Sequence, residues 1–175
     1  MNDSPNTNWG GITTDEIREV WGGQLQPIPE ELIAPVVTPY TRRFLTKVGL
    51  PATDVLGVDF LFEGPLLSVA SQEGRDYLVV TQARSNASFA VDVRTDQVVE
   101  YNQSAPGGTR FMNSDIAALI FFLGQMRKAL SLEEIPAIQA AIDDVRTSVT
   151  IHDLAAMEDE AAWKLWLDDL ESQIE

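Results

Sequence analysis

One histidine, His152, stands beside Asp153, and that pair is where the residue types first suggest a general base. A base acts on a proton that the fold holds within hydrogen-bond reach. The usual companions are missing: no G-x-S-x-G and no S-x-x-K pattern occurs in the chain. A single histidine in a chain without cysteine is also a poor start for a metal site, because ligands usually come in threes or fours. Carboxylates are plentiful. Asp143-Asp144 and Asp168-Asp169 are sequence neighbours, but consecutive residues on a helix point about 100° apart and do not converge on one ion or one glycosidic bond. Asp92 to Asp96 lacks the glycine and closing glutamate of a calcium loop. Gly107-Gly108 lacks the lysine and following helix of a phosphate loop and reads as a linker. No catalytic residue, metal site or cofactor is expected.

The carboxylates do have a pattern, which is one of charge. The chain has 175 residues and a formal net charge of -15. Residues 1–37 carry one Arg against six Asp and Glu, and residues 153–175 carry one Lys against eight. The body between them is nearly neutral. Acidic ends repel phosphate backbones and anionic lipid and attract basic surfaces. A basic protein partner is therefore expected, and neither nucleic acid nor a membrane. The candidate contact residues are Glu158, Asp159, Glu160, Asp168, Asp169 and Glu171 near the C-terminus, with Asp15, Glu16 and Glu19 as a second face. A plain solvated helix face accounts for the same residues equally well.

Those faces need elements to carry them. Thr13 with Glu16 forms a capping box before Ile17, Val20 and Trp21, and Gly22-Gly23 stops that helix. Pro27, Pro29 and Pro35 mark an extended connector. Thr38-Pro39 opens a helix whose apolar face is Tyr40, Phe44, Leu45 and Val48, closed by Gly49 and Pro51. Gly64 to Ser71, Tyr77 to Gln82, Ser88 to Val93 and Val98 to Tyr101 read as closely spaced antiparallel strands. Phe89, Val91 and Val93 alternate with Ala90 and Asp92, the period of a half-buried strand.

Asn113 or Ser114 then caps a helix that is apolar almost all round from Ile116 to Leu123. A further helix is expected from about Pro136 to Thr147. In the last one Trp163, Trp166, Leu167, Leu170 and Ile174 share a face. Helices, a run of strands, then helices argue for an α+β fold, with an antiparallel sheet of about five or six strands between N- and C-terminal helices. One domain over 13–175 with a flexible arm over 1–12 is expected, monomeric by default. Trp9 lies in that polar arm; it is either disordered or an anchor, docked on the body or on a partner. Met1 to Gly11 holds no Lys, Arg or apolar run, so no targeting segment is expected and the protein reads as cytoplasmic.

Four stretches carry a resemblance. Thr41 to Pro51 (TRRFLTKVGLP) resembles the R-F-L-x-x-V-G-L-P opening of SUKH-superfamily immunity proteins, in particular the fourth subgroup. Asp92 to Val98 (DVRTDQV) is similar to that family's strand–turn–strand, D-x-x-T-G-x-V, with Asp96 where glycine is common. Met112 to Asp115 (MNSD) resembles its V-N-S-S helix start. Thr150 to Ala156 (TIHDLAA), followed by Trp163, resembles its closing I-D-P-x-A … W, with Leu154 where proline is common. The resemblance implies an antiparallel sheet flanked by helices, no catalysis, and a role as antidote in a bacterial polymorphic-toxin system. The partner it implies is a toxin domain, often a nuclease or nucleic-acid deaminase. Two other readings remain open at this point: a general protein- or peptide-binding adaptor on the same fold, and a carboxylate hydrolase.

Overall fold

The computed structural model describes residues 7–53, 58–60, 69–72, 74–83, 88–101 and 108–174. Residues 64–68 of an expected strand, residues 104–107 of the expected linker and the first six residues of the expected arm lie outside them.

The described chain opens on a hairpin, β1 (Asn8–Trp9) and β2 (Ile12–Thr13), and runs directly into α1 (Thr14–Trp21). Thr13 caps α1 as its sequence requires. Its hydroxyl accepts from the Glu16 N–H, and the Glu16 carboxylate accepts the Thr13 N–H at 2.7 Å. β3 (Leu25–Gln26) and a 3-10 turn at Glu30–Leu32 lead to α2 (Pro39–Lys47), and β4 (Leu50–Pro51) returns to pair antiparallel with β3. This pairing explains Gly49. Its φ is 92°, and a Cβ there would stand 2.0 Å from the Gln26 carbonyl oxygen, so only glycine fits.

β5 (Val58–Phe60) pairs with β8 (Thr81–Ala83). The main sheet comprises β6 (Val69–Gln72), β7 (Arg75–Val79), β9 (Ser88–Asp92), β10 (Val98–Tyr101) and β11 (Thr109–Asn113). Its five strands run in the order β11-β10-β9-β7-β6, every neighbour antiparallel. The rest is helical: α3 (Ile116–Leu130), α4 (Ile135–His152), a 3-10 turn at Leu154–Met157, and α5 (Ala162–Ile174). The fold is α+β, as the segregation of elements implied.

α3 sits at the centre. Ile116 to Gly124 is buried without a break, because other elements surround this helix on every side. α1 crosses it at close range: Gly124 lies where a Cβ would meet the Val20 and Trp21 side chains at 2.6 and 2.8 Å. The Trp21 indole N–H donates to the Ile120 carbonyl at 2.9 Å, and the Arg127 guanidinium covers the same ring. From the other side Trp163 of α5 meets Phe122 edge-on, and Trp166 reaches Phe89 on the sheet.

Four expectations change. Asp115, not Asn113 or Ser114, caps α3: its carboxylate accepts the Ala118 N–H at 2.9 Å. α4 continues to His152, five residues past Thr147, because Val149 is buried in the core and holds the last turn in place. β9 is buried on both faces rather than one. Phe89 and Val91 join the main core, while Ala90 lies in a second cluster with Tyr77 and Tyr101. Asp92 is buried because it folds the next turn, accepting the Arg94 N–H at 2.8 Å and the Thr95 N–H at 3.2 Å. The described part of the 1–12 stretch is not a loose arm. Trp9 is only 2% exposed, with its indole edge-on to Tyr40 and Phe44 and its N–H donated to the Thr14 hydroxyl at 2.9 Å.

Trp9 thus docks on the body and closes the core over α2. Trp9→Ala should cost about 3–5 kcal/mol of stability, read as a fall in the urea midpoint; a loss within error of zero would mean that the hairpin does not pack there.

Candidate partner-binding surface

The region around the C-terminal carboxylates is built from one buried carboxylate. Asp153, just past α4, is 4% exposed. It accepts the Asn113 side-chain N–H at 3.0 Å, the Ser114 backbone N–H at 2.7 Å and the Ser114 hydroxyl at 2.7 Å. Asn113 in turn accepts the Trp163 indole N–H at 2.8 Å. These bonds fasten the α4–α5 connection to the end of β11. His152 takes no part in them. Its ring stands edge-on to Phe121, so the suggested His–Asp base is not assembled. Among the described residues no group of three or more His, Asp or Glu side chains is placed to hold a metal ion. Asp153→Ala should cost about 3 kcal/mol, because it strips the acceptor from three donors; thermal unfolding of the variant checks this.

Beyond that anchor an open cleft of about 1250 Å3 separates the sheet from the connection. Arg110 and Phe111 of β11 form one wall. Met157, Leu165 and the run Glu158-Asp159-Glu160 form the other. All three carboxylates are exposed. Arg110 is held by Glu100 at 3.2 Å. At the end of α4 and just after it, Ile151 and Leu154 are 71% and 68% exposed, large for aliphatic side chains.

The remaining expected residues are placed differently. Asp168 and Glu171 of α5 close on Arg146 of α4 at 2.9 and 2.7 Å, and Lys164 adds a second cation to Asp168 at 2.9 Å. Bonds from Lys164 and then Arg146 hold the Asp168 carboxyl below the usual aspartate range. Burial alone would lower the Arg146 pKa, but Glu171 and Asp168 carry it upward. Asp169 accepts from Gln173 at 2.7 Å. On α1, Glu16 is engaged by Thr13, whose bonds lower its pKa, while Asp15 and Glu19 are exposed. Trp9 belongs to the core. The structure therefore gathers Glu158, Asp159 and Glu160 at one cleft and leaves the other expected residues on separate faces. Sequence reasoning missed the cleft's opposite wall, since Thr109–Asn113 has only Phe111 and Met112 as an apolar pair. It also missed Ile151 and Leu154, whose exposure depends on where α4 ends.

A second carboxylate is out of balance. Asp115 is raised above the usual aspartate range, chiefly by burial and further by the charge of Asp153, against the lowering effect of its bonds from the α3 amides. Burial and the nearby Asp115 push the Tyr40 phenol far upward. A carboxyl whose folded pKa is raised stabilises the fold fully only below its unfolded pKa and loses that contribution as pH rises through the folded one. At neutral pH the charged Asp115 is therefore a burden on the cap it forms. Asparagine caps as well as aspartate. Asp115→Asn should raise the melting temperature at neutral pH and lose that advantage as the pH falls to about 3, whereas Asp115→Ala should lose about 1 kcal/mol of capping. Melting curves across that range check both, and a gap between the wild-type chain and Asp115→Asn that stays constant with pH would contradict the assignment.

The described chain is an α+β body whose antiparallel sheet is accompanied by helices at both ends of the chain. A family model, the SUKH-4 immunity protein, matches residues 12–171. The chain belongs to that family. No curated protein and no solved structure gives a significant match. No helix among the described residues is long and apolar enough to cross a membrane.

Proposed function

We propose that this chain is a non-catalytic antidote that binds a bacterial toxin domain and covers its working surface inside the producing cell. Membership of the SUKH-4 immunity family over residues 12–171 carries the reading. The charge supports a more specific partner. A toxin that cuts or deaminates nucleic acid must hold phosphates on a cationic surface. A chain of net charge -15 is steered onto such a surface and away from the nucleic acid itself. The partner is thus a basic nuclease or nucleic-acid deaminase domain, and occlusion of its substrate path is the mechanism.

Co-expression tests this. A bacterial host making the cognate toxin domain should die alone and grow when the chain is present. The purified pair should form one tight complex whose affinity falls as salt rises. Failure of the wild-type chain to bind or protect overturns the antidote reading. Micromolar binding to several unrelated proteins would favour an adaptor instead.

A further inference from the structure

The five-stranded sheet ends on β11. In an antiparallel edge strand every second residue turns its N–H and C=O away from the sheet. Among the described residues, no backbone group from Thr109 to Met112 bonds to any segment other than β10. The cleft adjoins this strand, with Phe111, Met157 and Leu165 as its apolar surface. Its far rim carries Glu158, Asp159 and Glu160, none of them in an ion pair among the described residues, and the one cation on its lining, Arg110, is already matched by Glu100. The cleft therefore carries an excess of negative charge, although Lys164 of α5 also attracts Asp159. The α5 face differs, because Arg146 and Lys164 already answer Asp168 and Glu171. The bonds of Asp153 to Asn113 and Ser114 fix both walls in advance, so little ordering is left for a ligand to pay.

We infer that the toxin lays an extended segment bearing lysine or arginine into this cleft and adds a strand to β11, with its cations against Glu158, Asp159 and Glu160. This rests on the antidote reading above. Main-chain bonds to the β11 edge supply affinity, and the side chains that alternate along the added strand read the walls.

The test uses the full-length chain and the toxin domain it protects against in the co-expression experiment. Glu158→Lys/Asp159→Lys/Glu160→Lys should weaken the complex at least about tenfold and abolish protection, while Asp143→Lys/Asp144→Lys on the exposed face of α4 weakens it far less and keeps protection. Hydrogen exchange on the wild-type complex gives a readout independent of any variant's folding: amides within Thr109–Met112 that exchange in the free protein should become protected. A complex that stays tight in the triple variant, or one in which β11 exchanges as it does in the free chain, overturns the cleft and leaves the antidote role standing. A wild-type chain that neither binds nor protects overturns both.

Discussion

The Asp153 carboxylate is the interaction on which the architecture of the C-terminal half depends. It sits where three pieces of chain meet: the end of α4, the end of β11 and, through Asn113, the first turn of α5. A buried carboxylate is costly unless its lone pairs are filled. Here three donors fill them, one of them a backbone N–H that precedes α3. Removing the anion would free the connection that carries Glu158 to Glu160, so the acidic rim has a defined position only because an acidic residue a few positions earlier is buried.

The same type of side chain thus does opposite work at different depths. Asp153, Asp92 and Asp96 act as acceptors for the protein's own donors. Asp96 adopts φ of 64° in the β9–β10 turn and receives the hydroxyls of Thr38 and Thr41, which fastens the start of α2 to the hairpin. A glycine there would make the turn more easily but would have no carboxylate to hold α2. Asp168 and Glu171 are tied to Arg146 and contribute little net field to a partner. Glu158, Asp159 and Glu160 form no ion pair among the described residues, although Lys164 attracts Asp159. Net charge describes the molecule's long-range attraction, and internal pairing decides which surface that attraction favours at contact.

Much of the fold was legible because its signals are local. Thr13 with Glu16, Thr38 with Pro39 and the glycines after each helix act within one turn, and each is found as the spacing demanded. The long apolar run of α3 marked the centre for the same reason. Trp9 could not be placed, since its partners Thr14, Tyr40 and Phe44 lie on two other elements. β11 was hidden as well. Its Asn113 serves the Trp163 and Asp153 network rather than a helix cap, and that use is invisible until residues 40 and 50 positions away arrive beside it.

Residue order by itself determined the element types, the acidic ends and the family motifs, because capping, periodicity and charge are properties of neighbours in sequence. Only the tertiary structure decided that Asn113, Ser114, Asp153 and Trp163, read as separate motifs, form one bonded cluster. It also decided which carboxylates remain unpaired and that the sheet ends beside three of them. Such outcomes depend on distances between remote segments, and those distances exist only once the core has closed around α3.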